Sequence, residues 1–363
     1  MGQRTSRPYI RTGLAGAAVL ASLVAVPAPA PARERGAVAA ESGARPRPPL
    51  GAFLGSDGAG VARISRFEAW LGRRVTVGHT YLPGDRWAAV EGPSWLIRPW
   101  SRWHRARRGS LFVLNVPMVV PNERPRMSRR AVTAFLRRGA AGAYDAHYRT
   151  LATRLARAGL GDAILVLGWE MNSINYNGRC APAPRQWKRY WRRIVRVMRR
   201  VPGERFRFDF TASRGRDAIP WKRCYPGDRY VDIIGLDSYD QPPGNDFGSY
   251  ASQPYGLRAQ AQFARAHGKR ISFPEWGLFR RGDNPDYIRR MYRWMRTHDV
   301  AYQTITDYCP HGVWRCRAHP RSSRVYRQLF GGRPRSRPSV QPLVPLPVPP
   351  AAERARPHAA GGP

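Results

Sequence analysis

Between Leu50 and about Gly332 the chain alternates short, continuous apolar runs with longer stretches whose apolar residues return every three to four positions. Continuous runs read as buried strands and the 3.6-residue period as amphipathic helices. The runs Gly51 to Leu54, Val75 to Tyr81, Leu111 to Val116, Ile164 to Leu167, Phe206 to Phe210, Val231 to Leu236, Ile271 to Phe273 and Val300 to Tyr308 predict eight strands. Helical stretches fall between them: Phe67 to Leu71, Trp95 to Arg107, the face Tyr144, Tyr148, Leu151 and Leu155, Tyr255 to Gly268, and the face Tyr287, Ile288, Met291, Trp294 and Met295, with Val325 to Phe330 closing the series. The clearest stripe is Trp187, Tyr190, Trp191, Ile194, Val195 and Met198, with arginines on the opposite face and Pro202-Gly203 as its stop. Eight strand signals with intervening helices over this length predict an α/β protein with the (β/α)8 (TIM) barrel fold, whose usual size is about 250 residues. An open doubly wound sheet is the alternative, and it calls for a phosphate loop after the first strand. Gly55 to Gly60 is glycine-rich but has neither phosphate-loop order, so it reads as a turn.

The pattern stops at both ends. Residues 1–32 carry Arg4, Arg7 and Arg11, then an apolar run from Leu14 to Val26 and small residues around Ala28 to Ala32. That is the order of a cleaved secretory signal peptide, too short for a comfortable membrane span, with an uncleaved anchor as the lesser alternative. Residues 33–50 read as a disordered linker of Arg, Ala, Gly and Pro, 51–332 as the (β/α)8 domain, and 333–363 as a disordered Pro/Arg-rich tail.

Composition changes this picture little. The chain has 363 residues and a formal net charge of +38, from 62 Lys+Arg against 24 Asp+Glu. Such charge raises general affinity for polyanions, and an anionic cell-surface polymer could be held through the basic tails. No nucleic-acid-binding motif accompanies it, so no specific nucleic-acid partner is expected. The four cysteines, Cys180, Cys224, Cys309 and Cys316, lack metal-ligand spacing. An even count in an exported chain predicts two disulfides. Of three connectivities, Cys180–Cys224 and Cys309–Cys316 are expected, the first joining neighbouring loops of a barrel rim and the second closing a small loop after the last strand.

Candidate chemistry lies at two strand ends. Ile164 to Leu167 runs into Gly168-Trp169-Glu170-Met171-Asn172, and Ile271 to Phe273 runs into Pro274-Glu275-Trp276-Gly277. One glutamate at a strand end is an ordinary surface or ion-pairing residue. Two, each beside a tryptophan and 105 positions apart, fit three βα units of about 35 residues and the same carboxyl-terminal rim. Paired carboxylates on that rim point to glycosidic bond cleavage, in which one carboxyl donates a proton and the other stays ionised.

These stretches, with Val231-Asp232-Ile233-Ile234-Gly235-Leu236-Asp237-Ser238-Tyr239, resemble glycoside hydrolase family 26, a family of retaining (β/α)8 glycosidases, over roughly Leu50 to Cys316. The resemblance implies Glu170 as acid/base and Glu275 as nucleophile. It implies an enzyme that cleaves a β-linked polysaccharide, β-mannan or a related β-glycan; with the signal-like residues 1–32 a secreted enzyme is expected, a monomer without cofactor or metal. Family 26 mannanases carry His before the acid/base and the wider clan Asn, whereas this chain has Trp169, which leaves the particular β-glycan open. Candidate sugar contacts are Trp169, Asn172, Tyr239, Trp276, His79, Tyr176, Tyr308 and Trp314, with Tyr81, Asn115 and Asn175 beside them. Tyr239 is also expected to hydrogen-bond the nucleophile. His79 is read more readily as structural, Trp314 equally as packing, and Asp237 and Asp307 as structural ligands of the rim. The competing reading is a non-catalytic glycan-binding barrel or a wall- or exopolysaccharide-associated protein.

Overall fold

The computed structural model of the chain describes residues 46–332. The expected signal peptide, most of the linker and the tail lie outside these residues. The strands are β1 (Leu50–Phe53), β2 (Val77–Tyr81), β3 (Leu111–Val116), β4 (Ile164–Leu167), β5 (Arg207–Ser213), β6 (Ile233–Tyr239), β7 (Arg270–Gly277) and β8 (Val300–Thr306). They pair in parallel and in sequence order around a closed barrel, with β8 returning to β1. The helices are α1 (Gly58–Leu71), α2 (Trp87–Val90), α3 (Ser94–Arg105), α4 (Arg129–Ala141), α5 (Asp145–Arg157), α6 (Pro184–Met198), α7 (Phe247–Ser252), α8 (Leu257–Ala266), α9 (Pro285–Thr297) and α10 (Pro320–Phe330).

Each strand is buried on both faces, which is why the strands read as continuous apolar runs. Val77, Val113, Ile164, Val166, Ile233 and Tyr302 fill the barrel interior. The alternate residues face the helices: Phe208 and Phe210 of β5 join the outer core, where Trp187 and Trp191 of α6 meet Phe210 edge-on at 6.2 and 5.9 Å. The expected α6 stripe is buried throughout. Asp209 and Thr211, which alternate with those phenylalanines, point inward, and Asp209 accepts from Thr211, Ser272 and Tyr302.

The structure adds α4, for which the sequence reading had no helix. Ser128 caps it by accepting from the Ala131 N–H, and Val132, Phe135, Leu136 and Gly139 bury at helical spacing. Gly139 lies against the Tyr190 ring of α6, where a Cβ would come within 2.7 Å of it. Strands β6 and β7 run further than expected, so Glu275 lies within β7 rather than just past it. Both expected disulfides form, Cys180–Cys224 with a Cα separation of 6.2 Å and Cys309–Cys316 with 4.8 Å.

Candidate active site

Glu275 reaches the barrel mouth through a bulge. Phe273 and Trp276 of β7 both face the outer core, although residues three apart on a regular strand face opposite sides. The register shifts there against both neighbours, Gly235 to Ser238 of β6 opposing Ser272 to Trp276, and Phe273 to Trp276 opposing Gln303 to Ile305 of β8. The extra residue turns Glu275 inward. It also explains a proline inside a central strand, since Pro274 has no N–H to give the ladder. Two contacts hold the bulge. The Glu275 N–H donates to Asp237 Oδ1 at 3.0 Å, and the Thr304 hydroxyl donates to the Pro274 carbonyl.

Glu170 arrives by a turn. β4 ends at Leu167, and Gly168 takes φ +50° where a Cβ would lie 2.7 Å from the Met118 sulfur. Glu170 itself has φ +47°, a left-handed conformation that a non-glycine residue holds only when its surroundings fix it. The Glu170 N–H donates to the Thr211 carbonyl at 3.0 Å. Asn172 then clamps the turn to β5: its Oδ1 accepts from Ser213 N, and its Nδ2 donates to Ser213 O, both at 2.9 Å.

The two carboxyls sit in different electrostatic surroundings. Burial, then the charges of Glu275 and Asp217, push Glu170 up to about 8, against the pull of a hydrogen bond from Ser213. Burial raises Glu275 as well, but hydrogen bonds from Tyr239 and Tyr81 hold it down. The Tyr239 hydroxyl donates to Glu275 Oε2 at 2.7 Å and lies 2.8 Å from Thr306 Oγ1. Phenol donors favour the anion and neighbouring carboxylates disfavour it, so one shared proton rests on Glu170.

Glu275 opens into a cavity of about 500 Å³ whose wall includes Phe53, Tyr81, Trp169, Tyr176 and Tyr308. These rings form a continuous edge-to-face series: Tyr308–Phe53 at 6.2 Å, Phe53–Tyr81 at 4.7 Å, Tyr81–Trp169 at 5.6 Å and Trp169–Tyr176 at 5.3 Å. The loop after β3 supplies Asn122, Glu123 and Arg124, and the loop after β2 supplies Leu82 to Asp85. Buried Asn177 fixes the first of these loops, donating to the carbonyls of Pro121 and Pro125 and accepting from Met127 N.

Trp169, Tyr176 and Tyr308 thus line the cavity, and Tyr239 touches Glu275. Four expected sugar contacts lie elsewhere. Asn172 is fully buried with its carboxamide spent on β5 backbone. The bulge turns Trp276 outward, where its indole N–H donates to Gln303 Oε1 at 2.7 Å beneath Tyr287 and Phe330. Trp314 packs on Phe67 of α1 at 5.7 Å in the helical layer, because Asp307 gathers the N–H groups of Val313, Trp314 and Arg315 and turns the loop away. His79 is enclosed below the mouth between Asn115 and Thr304, and burial lowers it to about 4, so the ring is neutral. His79 Nε2 lies 2.9 Å from Asn115 Oδ1 and Nδ1 lies 2.9 Å from Thr304 Oγ1, whose hydroxyl donates to the Pro274 carbonyl. His79 and Asn115 therefore support the bulge. Phe53, Glu123, Ser213 and Asp217 are site residues that the sequence reading passed over; their positions just past or at the carboxyl ends of β1, β3 and β5 are the signal that could have found them.

The sequence model of glycosyl hydrolase family 26 matches residues 170–274, from Glu170 to the residue before Glu275. No curated protein matches the sequence. Among solved structures, mannanase man26 from Bacillus subtilis is 14% identical, with a TM-score of 0.58 over 78% of this chain and 85% of that one. GH26C from a Muricauda species is 15% identical, with a TM-score of 0.60 over 78% of this chain and 85% of that one. The catalytic domain of an endo-β-1,4-mannanase from a Bacillus species is 18% identical, with a TM-score of 0.55 over 73% and 79%. At these identities the structures establish the (β/α)8 barrel fold, and the family match is a likeness to glycosyl hydrolase family 26 over the part of the barrel that runs from Glu170 to Pro274.

Proposed function

We propose that the chain is a secreted, retaining hydrolase of a β-linked polysaccharide, with Glu170 as acid/base and Glu275 as nucleophile. The observation that carries the role assignment is the unequal environment of the two carboxyls. Glu170 is pushed to about 8, whereas Glu275 accepts from Tyr239. An alkoxide leaves a sugar slowly, so the glycosidic oxygen must take a proton as the bond breaks, and Glu170 holds one at neutral pH. Glu275 attacks C1 as Glu170 gives its proton to the leaving oxygen, which yields a glycosyl ester and a free hydroxyl. Glu170, now ionised, takes a proton from water, the water attacks C1, and Glu275 is released with the original configuration restored at the sugar.

The aromatic series around Glu275 offers faces on which pyranose C–H groups stack. Mannanases among the similar structures make β-mannan the first substrate to try. Trp169 stands where family 26 mannanases carry His, a reason to test it within a panel of β-glycans. Export is supported by the signal-like residues 1–32 and by the two disulfides, which persist in oxidising compartments.

The panel is the test, with Glu275→Ala as its blank. That variant should lose about 10⁴-fold or more in kcat on every substrate the wild type cleaves. Glu170→Ala should keep the glycosylation step on aryl glycosides whose leaving group needs no proton, and then stall, which gives a burst. Azide should restore turnover of Glu170→Ala with retained configuration. Wild-type rates in both variants would remove the pair from the chemistry.

A further inference from the structure

A concavity of about 760 Å³ lies away from the mouth, on the outer wall between α3 and α5. Five arginines line it, Arg98, Arg102, Arg105, Arg154 and Arg157, and no carboxylate does. All five are exposed. Arg154 is anchored, donating to the Glu91 carbonyl at 3.1 Å and pairing with its carboxylate at 3.5 Å. The other four have no hydrogen-bond or ion-pair partner among the described residues. Some arginines elsewhere are neutralised locally, as in Arg193–Asp145, Arg107–Glu68 and Arg199–Asp232. Here four are gathered unpaired in a hollow.

The arrangement is linear. Trp95, Arg98, Arg102 and Arg105 follow one another at helical spacing on one face of α3. The three arginines span about 10 Å of helix axis, more than one small anion covers. Arg154 and Arg157 form the facing wall from α5. Trp95 is 56% exposed, the most exposed large apolar side chain described, at the end of that row. A row of guanidinium forks chelates oxyanions on successive units of a polymer, and a free indole face stacks on the C–H face of a sugar.

We propose that this cleft binds an acidic polysaccharide, a linear glycan with carboxylate or ester-anion groups along it. Nucleic acid is the competing polyanion. Given the hydrolase reading proposed above, the glycan is favoured because an enzyme working in a polysaccharide matrix gains local concentration from a second hold on it, and because a single exposed ring, Trp95, continues the arginine row, rather than the series of rings on which bases stack. The cleft lies on the helical wall, and its binding is independent of the two glutamates.

The test uses the full-length chain, labelled polygalacturonate as probe, and neutral dextran and single-stranded DNA as comparisons, titrated at low and moderate salt. Arg98→Gln, Arg102→Gln, Arg105→Gln and Arg157→Gln together should weaken polygalacturonate binding at least about tenfold. Arg66→Gln, Arg137→Gln, Arg189→Gln and Arg289→Gln remove the same charge from other exposed positions and should change it by no more than about twofold. Trp95→Ala should weaken polygalacturonate severalfold at a salt dependence equal to the wild type's, since stacking moves no counterions. Equal losses in the two quadruple variants would overturn the proposal in favour of overall charge. So would a cleft dependence seen with DNA and not with polygalacturonate. Thermal melts of both variants matching the wild type establish that folding is intact, and because the readout is binding, failure here leaves the catalytic assignment untouched.

Discussion

At Glu170 a desolvated carboxyl faces the charges of Glu275 and Asp217, and it keeps its proton to about pH 8. The alkaline limb of kcat/KM should report this group. Asp217→Asn removes a neighbouring negative charge and favours the Glu170 anion, so that limb should move to lower pH, by about half a unit to one unit. Tyr239→Phe removes a donor to the Glu275 anion, so the acid limb should move to higher pH by a similar amount. Stability runs the same way. The unfolded chain releases the Glu170 proton near the ordinary glutamate value of about 4.3. The folded chain holds it to about 8, so this group's contribution to stability falls as pH rises between the two. Glu170→Gln should therefore stabilise the fold at neutral and alkaline pH, by about 1–3 kcal/mol, with no gain at pH 4, as thermal melts across pH would read.

Element by element, the site depends on two departures from regular strand geometry, and these mark where the sequence stopped being legible. The glutamates could be read as strand-end residues because each follows an apolar run. What alternation could not tell is which way the residues beside them point. On a regular β7, Trp276 would face inward with Ser272 and Glu275 outward with Phe273; the bulge at Pro274 reverses both, and the reading of Trp276 as a sugar contact failed on that reversal. Asn172 failed differently: a polar residue next to a catalytic motif looks functional, yet its carboxamide does the work of a backbone clamp. Helix α4 was passed over because arginines crowd its sequence, although its apolar positions keep helical spacing. The bulge gives a test. Thr304→Val deletes the hydroxyl that bridges His79 to Pro274 at nearly constant volume. It should lower kcat by about 10- to 100-fold, with KM little changed, and destabilise by about 1–3 kcal/mol.

On the scale of the whole molecule, the (β/α)8 architecture was legible from pattern alone, because eight buried parallel strands leave eight apolar runs and their helices leave striped intervals. The closed order then brings together residues 105 positions apart, which no local reading reaches without the fold. The Cys180–Cys224 bridge ties the segment after β4 to the turn after β5 across a sequence separation of 44. Replacing both cysteines by alanine should lower stability by about 2–4 kcal/mol in denaturant titration. The central claim, that Glu275 attacks the sugar and Glu170 moves the proton, is tested most directly by trapping the intermediate. A 2-fluoro glycoside of whichever sugar the panel identifies, carrying an activated leaving group, forms the glycosyl ester but loses it slowly. Peptide mass spectrometry should find the sugar on Glu275. An adduct on Glu170, or hydrolysis with inverted configuration and no adduct on either glutamate, would contradict the account.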